Sequence, residues 1–400
     1  MVSSLIGFVG ILFVLGLCFA LSIDRKNIKY KSIGIMLVLQ FGLAWFMLNT
    51  AVGQDIINTI SAGFNELIRF AGVGVTFVFG GITDAPFVFF LNVLLVIVFF
   101  STLLSILTYI KVLPVVIRFF GGLLSRITGM PKVESFNAVN SMFFGQSEAL
   151  LAIKSQFRQL SKERLFIVCA SAMGSVSASI SGSYMELVPA RFVLVAMVLN
   201  AFSALIISSL LMPVRVPKEE DVITVNEVEQ PRSIFEAMGD GALDGLKIAA
   251  IVAGMLIAFI ATMELVNAII QYITGLFGFR TNLQEILGYI LAPFVYLSGV
   301  PAEEVIQAGG IMGTKIVINE FVAMLQFQPL IPIFSDRTVA IVSTYLISFA
   351  NFSSIGIIAG SVKAIDDEKA KVVAGFGLKM LFAATLASLL SAMIVGIFIG

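Results

Sequence analysis

Histidine is absent from this chain of 400 residues, cysteine occurs only twice, and charged residues make up only 12% of it. Without histidine the chain lacks the commonest metal ligand and the usual charge switch near neutral pH. Cys18 and Cys169 both lie in apolar runs, so we predict neither a disulfide framework nor a Cys/His metal site. The 25 basic residues balance the 25 acidic ones, and no net field attracts nucleic acid. We therefore expect no cofactor and no nucleic-acid partner.

Apolar residues are abundant instead. They make up 58% of the chain and include 36 phenylalanines, whereas soluble domains contain about 45–50%. A membrane-spanning helix needs about 20 mostly apolar residues. Charge-free runs of this kind occupy 5–23, 32–54, 85–110, 165–185, 192–214, 338–362 and 380–400, and an eighth run, 248–279, is interrupted only by Glu264. The sequence thus predicts a multi-pass protein with eight transmembrane helices and the lipid bilayer as its surroundings.

Basic residues are concentrated in alternate loops. The richest of these loops contains Lys111, Arg118, Arg126, Lys132, Lys154, Arg158, Lys162 and Arg164. Because loops rich in lysine and arginine stay in the cytoplasm, this bias predicts that both termini lie outside. No soluble domain is predicted, and the only long polar linker is cytoplasmic in this topology.

Two segments are too apolar for loops and too interrupted for spans, namely 133–160 and 301–327. Each has apolar residues on both sides of a polar centre, Gly145-Gln-Ser-Glu148 in one and Asn319-Glu320 in the other. Irregular backbone at membrane depth is tolerated only where protein or water surrounds it. We therefore predict two re-entrant helical hairpins.

Each predicted hairpin is followed by a span with a polar centre, Ser171–Ser183 after the first and Ser348–Ser361 after the second. Glu148 precedes Ser179 by 31 residues, and Glu320 precedes Ser354 by 34. In the predicted topology the first hairpin enters from the cytoplasm and the second from outside. This arrangement indicates an inverted repeat, with binding near the midplane where broken helices meet.

The fold class predicted is therefore an all-α polytopic membrane protein with eight transmembrane helices and two opposed re-entrant hairpins related by an inverted repeat. The scaffold includes a predicted interfacial amphipathic helix over 55–84. The predicted division is 1–132 scaffold, 133–212 first repeat half, 213–243 cytoplasmic linker, 244–300 scaffold span with an interfacial helix, and 301–400 second repeat half.

A carboxylate at the bilayer centre costs at least about 2.5 kcal/mol, so Glu148 and Glu320 are candidate functional residues. The alternative is that each only caps a broken helix. Glu264 lacks polar neighbours, and we interpret it as lying near the outer interface or pairing with another subunit. Lys315 is either a partner for a carboxylate or a residue that snorkels to the membrane surface.

The polar side chains at the two centres indicate the class of ligand. Gln146 and Asn351 each offer donors and an acceptor, which suits the edge of an amide-like ring. Carboxylates with Ser147 and Ser354 suit a polyol such as ribose, and Phe349 could pack on a flat ring. No intramembrane arginine is present to bind a carboxylate or phosphate. These residues predict a neutral, polar, hydroxylated solute.

Three segments resemble the signature motifs of concentrative nucleoside transporters, and the likeness is closest to the bacterial NupC branch. The segments are Gly145-Gln-Ser-Glu148, Asn319-Glu-Phe-Val-Ala323 and Phe349-Ala-Asn-Phe-Ser-Ser-Ile-Gly356. The resemblance implies a homotrimer in which each protomer carries its own site and moves it by an elevator-like mechanism. It also implies that nucleosides of the uridine, cytidine or adenosine class are imported by cation symport. By the same resemblance Gln146, Ser147 and Glu148 would contact the nucleobase, Glu320, Asn351 and Ser354 would bind the ribose, and Phe349 would lie beside the ligand.

One position departs from the sodium-coupled members of that family. An asparagine whose oxygen helps to bind the ion is replaced here by Ser141, whereas Ser179 and Ile180 match the other half of the ion site. The resemblance therefore favours H⁺ as the coupling ion, with Na⁺ as the alternative. With no histidine available, Glu148 or Glu320 would have to carry the proton.

Two other classes of protein, an intramembrane protease and an ion channel, fit these residues less well. Intramembrane proteolysis would need a Ser–His pair, paired aspartates or a histidine metal motif, and the long spans contain none of these. An ion channel would place rings of carbonyls or charges on a symmetry axis, whereas here the polar residues form two dissimilar halves. We therefore expect a transporter that is not an enzyme, located in the cytoplasmic (inner) membrane of a bacterium.

Overall fold

A computed structural model describes residues 2–80, 88–157, 159–217, 219, 221 and 231–399. Across these residues the fold is helical and contains no strand. The first ten helices are α1 (Val2–Ala20), α2 (Tyr30–Asn49), α3 (Ala51–Phe79), α4 (Val96–Tyr109), α5 (Val112–Thr128), α6 (Lys132–Asn140), α7 (Gln146–Leu151), α8 (Lys154–Phe157), α9 (Lys162–Met173) and α10 (Ala178–Met185). The remaining helices are α11 (Ala190–Leu211), α12 (Ile234–Gly275), α13 (Leu283–Leu297), α14 (Val305–Val317), α15 (Glu320–Phe327), α16 (Asp336–Leu346), α17 (Phe352–Lys363), α18 (Asp367–Gly375) and α19 (Gly377–Phe398).

Eight helical segments in the described part of the chain are long and apolar enough to cross a membrane. They are Ser3–Ala20, Tyr30–Asn49, Ala51–Phe79, Phe90–Tyr109, Lys162–Met185, Ala190–Leu211, Ile234–Gly275 and Gly377–Phe398. Seven of them coincide with predicted spans, so the predicted class, an all-α polytopic membrane protein, is confirmed. Part of the predicted span 85–110 and Arg158 of the basic loop lie outside the described residues.

Helix α3 is the one candidate span of the eight that coincides with no predicted span. The sequence predicts an interfacial helix over 55–84, and α3 covers Ala51–Phe79, with Asp84 outside the described residues. Thr50 begins it by accepting a hydrogen bond from the Gly53 N–H at 3.0 Å. Its 29 residues could cross a membrane by length and composition. Its interfacial position stays a prediction.

The expectation of one continuous span over 338–362 is wrong. Helix α16 ends at Leu346 and α17 begins at Phe352, so five residues separate two half-helices. Asn351 causes the restart, because its Oδ1 accepts the Ser354 N–H at 2.9 Å and so caps α17. The predicted span 165–185 breaks in the same way between α9 and α10, where the Ser177 hydroxyl caps α10 by accepting the Ser179 N–H.

The two predicted hairpins fold as helix pairs. Helices α6 and α7 form the first and α14 and α15 the second, and each of the four has at most 13 residues. At 1.5 Å per residue none reaches the roughly 30 Å of a bilayer core. Their re-entrant insertion stays a prediction that these lengths favour.

Helix α12 is 42 residues long and packs on α4. Two glycines allow this contact, because a Cβ at Gly241 would lie 2.7 Å from the Thr102 Cα and one at Gly245 would lie 2.6 Å from the Val98 Cα. Helix α12 begins at Ile234, capped by Ser233, so the last ten residues of the predicted linker 213–243 are helical. Residues 218, 220 and 222–230 of that linker lie outside the described residues. The core lies around α9, α11, α16 and α19, whose side chains are mostly buried.

Candidate functional site

The two helix breaks and the two hairpin turns meet in the interior. The Phe349 N–H in the α16–α17 break donates to the Ser175 carbonyl in the α9–α10 break at 3.1 Å. The Ala178 N–H donates to the Phe143 carbonyl in the turn of the first hairpin at 3.2 Å. The breaks therefore cross each other, and the N-termini of α7, α10, α15 and α17 come together around them.

Glu320 starts α15 and is almost fully buried, with 5% of its surface exposed. Its Oε1 accepts a hydrogen bond from the Tyr184 hydroxyl at 2.8 Å, and its Oε2 accepts one from Asn351 Nδ2 at 3.0 Å. Charge-assisted bonds of this kind are stronger than neutral ones. The carboxylate is thus held in one orientation by donors from both repeat halves.

Gln146 starts α7 and connects the first hairpin to the second break. Its Nε2 donates to the Ser354 hydroxyl at 3.1 Å, and both side chains are buried. The Gln146 Oε1 has no hydrogen-bond partner among the described residues, although it is buried. An unpaired buried acceptor costs free energy, so this oxygen is free to accept a hydrogen bond from a ligand donor.

Glu148 differs from Glu320 because its side chain is exposed. Its carboxylate turns back over the start of α7, and a Cβ at Gly145 would lie 2.5 Å from the Glu148 Oε2. Gly145 therefore leaves space for this carboxylate. The neighbouring Ser147 accepts a hydrogen bond from the Ser361 hydroxyl at 2.8 Å, which is a second connection between the first hairpin and α17.

Helix N-termini and Lys315 supply the positive charge near this centre. The partial positive charges of the helix N-termini and the buried Lys315 oppose the charges of the two carboxylates. Within the described part of the chain no arginine contacts the site, and no group of three or more Cys, Asp or Glu residues is close enough to bind a metal ion. The neutral ligand stays a prediction.

The residues predicted for cation coupling lie beside the contact between the first hairpin and the α9–α10 break. The Ser141 hydroxyl donates to the Asn137 carbonyl of its own helix at 2.7 Å. The Ser179 hydroxyl lies 2.6 Å from the Ser177 hydroxyl. Ile180 is buried in the first turn of α10. Ser141 and Ser179 are thus both engaged locally, on the two sides of the Phe143–Ala178 hydrogen bond.

Lys315 on α14 is completely buried, so the predicted alternative of snorkelling to the surface is wrong. Its ammonium donates to the Tyr345 carbonyl and the Ser348 hydroxyl at 2.5 Å and to the Ser388 hydroxyl at 3.3 Å. Its charge also acts on Glu320 over a longer distance. Lys315 therefore ties the second hairpin to the α16–α17 break.

Two aromatic residues complete the surroundings. Phe349 lies in the α16–α17 break and is 7% exposed. Tyr184 was missed by the sequence analysis, although it follows directly on the polar run Ser171–Ser183 and its hydroxyl would need a buried partner. Glu264 is exposed on α12 and joins none of these contacts.

The fold and this centre define a multi-pass helical membrane protein with a polar centre in its interior. Three family descriptions match consecutive parts of the chain: "Na+ dependent nucleoside transporter N-terminus" over residues 9–82, "Nucleoside recognition" over 90–191 and "Na+ dependent nucleoside transporter C-terminus" over 192–396. The chain belongs to the concentrative nucleoside transporter family, whose members are transporters and not enzymes.

Full-length relatives agree with this assignment. The chain is 38% identical to "Purine nucleoside transport protein NupG" of Bacillus subtilis (strain 168) over 99% of both chains. It is 30% identical to "Nucleoside permease NupC" of Helicobacter pylori (strain ATCC 700392 / 26695), covering 100% of this chain and 98% of that one. The solved "Structure of CNTnw in an inward-facing substrate-bound state" superposes with a TM-score of 0.93 at 33% identity, over 99% of this chain and 98% of that one.

Proposed function

We propose that this protein imports nucleosides by symport and binds them where the N-termini of α7, α10, α15 and α17 meet. Gln146, Ser147 and Glu148 contact the nucleobase, Glu320, Asn351 and Ser354 bind the ribose hydroxyls, and Phe349 lies beside the ligand. The observation that carries this proposal is the buried, unpaired Oε1 of Gln146, a side chain that is connected through Ser354 and Asn351 to the Glu320 carboxylate. A base N–H and a sugar hydroxyl would supply the donors that these acceptors need.

The coupling ion in this proposal is H⁺, and Na⁺ is the alternative. Ser141 offers a weaker ligand for a hard ion than an amide oxygen, and its hydroxyl already donates to the Asn137 carbonyl. Of the two carboxylates, Glu148 is the proposed proton carrier. Glu320 is held by hydrogen bonds from Tyr184 and Asn351 to both of its oxygens, which suits a fixed ligand-binding group. Glu148 is exposed and can exchange a proton with water.

The moving body in the proposed elevator mechanism contains the hairpins and broken helices, which pack tightly around one core. Helices α4 and α12 pair with each other and belong to the scaffold, and α4 also contacts α10 of the moving body. Large apolar side chains on α12, including Ile257 and Leu265, are 74% and 62% exposed. An apolar surface of this kind suits contact with lipid and with the other subunits of a homotrimer. We place both termini outside, in a bacterial inner membrane, from the distribution of basic loops.

Substrate preference is open between purine and pyrimidine nucleosides. The similarity to a protein described as a purine nucleoside transporter favours purines such as adenosine. Competition for adenosine uptake by uridine, cytidine and guanosine would rank them. Saturable uptake with counterflow of unlabelled nucleoside would exclude a channel.

The test is uptake of radiolabelled adenosine and uridine into proteoliposomes, with inward pH and sodium gradients imposed separately. Accumulation with the pH gradient alone is the expected result. Accumulation that follows sodium and ignores pH would contradict H⁺ coupling and leave nucleoside transport intact. No uptake of any nucleoside by folded protein would contradict the proposed function itself.

The same assay tests the proton carrier. Glu148→Gln is expected to abolish accumulation driven by the pH gradient while exchange of internal for external nucleoside continues, because a glutamine cannot carry the proton. If Glu148→Gln still accumulates nucleoside against a gradient when driven by pH, the assignment to Glu148 is wrong.

A further inference from the structure

Helix α5 presents three different faces. One face is buried and consists of Leu113, Ile117, Gly121, Leu124, Ser125 and Thr128. A second face is apolar but exposed and consists of Val112, Val115, Phe119, Phe120, Leu123 and Ile127. A helix that is buried on one side and exposes a large apolar face on another lies along a membrane surface more readily than in water.

A basic stripe separates the buried face from the exposed apolar face. Arg118, Gly122 and Arg126 follow one another at intervals of four residues, so they lie on one side of the helix. Lys132, at the start of α6, lies on the opposite wall of the same cavity, which has a volume of about 500 Å³. The two helices approach closely at its floor, because a Cβ at Gly121 would lie 2.9 Å from the Phe136 Cα.

Gly122 leaves the space between the two arginines open. A Cβ at this position would meet no heavy atom within 4 Å. Three cationic residues thus line the cavity, and the position between the two arginines carries no side chain.

The carboxylates near this cavity are bound to other groups. Glu134 is buried and forms a bidentate ion pair with Arg164, with distances of 2.6 and 3.0 Å. Asp221 accepts a hydrogen bond from the backbone N–H of Lys132 at 2.7 Å. This bond does not involve the Lys132 ammonium. Within the described ranges, Arg118 and Arg126 form no ion pair. Among the described residues, the cavity lining thus contains three cations and no carboxylate.

We propose that this cavity binds the phosphate of an anionic phospholipid, with the acyl chains lying along the exposed apolar face of α5. Basic pockets on the cytoplasmic side of membrane proteins bind anionic headgroups, and the distribution of basic loops puts α5 on that side. Free phosphate would match the cations but would leave the apolar face uncovered. The apolar face beside the stripe therefore selects a lipid.

Native mass spectrometry of the detergent-purified protein tests this proposal by titration with phosphatidylglycerol and with phosphatidylcholine of the same acyl chains. Tighter binding of phosphatidylglycerol is expected. Arg118→Ala combined with Arg126→Ala should weaken its binding roughly 30-fold, since each basic residue near an anionic lipid contributes about a factor of five. Binding of phosphatidylcholine should not change.

Gly122→Leu is the sharper variant, because it fills the opening and keeps every charge. It should also weaken phosphatidylglycerol binding. Lys162→Ala combined with Lys363→Ala is the matched control, since it removes two exposed cations from other helices and should have no effect. Uptake in phosphatidylcholine liposomes shows that each variant is folded. Wild-type phosphatidylglycerol binding by the double arginine variant, equal binding of both lipids, or displacement by millimolar inorganic phosphate would each overturn the proposal.

Discussion

The two halves of the repeat hold equivalent glutamates in opposite ways. Glu320 is 5% exposed and receives hydrogen bonds from Tyr184 and Asn351, whereas Glu148 is exposed and lies over the start of its own helix. Five residues before each glutamate the chain carries Lys315 in the second half and Phe143 in the first. The second half thus holds its glutamate through neighbouring side chains. A side chain held in this way loses less entropy when it binds a ligand.

The largest effect expected from this difference is on stability. Lys315→Met removes a buried cation that donates to Tyr345 and Ser348 and leaves these two buried acceptors without that donor. The free energy of unfolding should fall by about 3 kcal/mol. Phe143→Met at the matching position should change it by less than about 1.5 kcal/mol. Thermal unfolding in detergent measures both, and equal decreases would show that the two positions do not differ.

Glu320→Gln should have the next largest effect, and it acts on transport. A glutamine turns one acceptor into a donor, which then faces the donating Asn351 Nδ2 or Tyr184 hydroxyl. The loss of a charged hydrogen bond should lower kcat/KM about 50-fold. Glu148→Gln should lower the rate of nucleoside exchange much less. Similar decreases in the exchange rate for the two variants would show that the hydrogen bonds to Glu320 have no special importance for transport.

Gln146→Leu should weaken nucleoside affinity about tenfold, because it removes the unpaired Oε1 and also the donor to Ser354. Calorimetric titration in detergent measures this change. Ser147→Ala is a suitable comparison because Ser147 accepts a hydrogen bond from Ser361 and is already paired. Its effect should be smaller, and an equal loss would argue against a special role for the free oxygen.

The smallest effect is expected from Gly145→Ala. The added methyl group would meet the Glu148 carboxylate at 2.5 Å and displace it, so the KM should rise about threefold while the melting temperature changes little. Gly356→Ala is the matched control in the second half, where a Cβ meets nothing within 4 Å. Uptake by the two variants in parallel should separate them. Unchanged transport by Gly145→Ala would show that Glu148 can move away at no cost.

Much of this fold could be predicted because membrane spans are a matter of length and apolarity. The positions of the two helix pairs, α6 with α7 and α14 with α15, were predicted from polar residues in apolar surroundings, and Asn351 was identified from its polar neighbours. The break after Leu346 was missed because 338–362 carries no charge, and hydropathy does not register a cap made by an uncharged asparagine. Nor could the start of α12 be read from apolarity, since Ser233 and Glu236 define it through capping.

Other parts of the site depend on contacts that no spacing rule can supply. Tyr184 reaches Glu320 across 136 positions of sequence, and Gln146 reaches Ser354 across 208. For Lys315 the sequence predicted either a carboxylate partner or a position at the membrane surface. Its three acceptors instead come from α16, from α19 and from the break between α16 and α17. Such pairings follow from how the two halves interlock, which a single sequence does not encode in any local pattern.

The length of α12 has a consequence for the membrane around the protein. At 1.5 Å per residue its 42 residues extend about 63 Å, roughly twice the thickness of the hydrocarbon layer. Its first fourteen residues include four charged ones, so the apolar part is 248–275, which extends about 42 Å. This part is still longer than the hydrocarbon layer is thick, and it must tilt or thicken the bilayer beside it. The mismatch between this helix and the bilayer therefore favours lipids of a particular acyl chain length. Changes in acyl chain length will alter the tilt of α12 in the membrane.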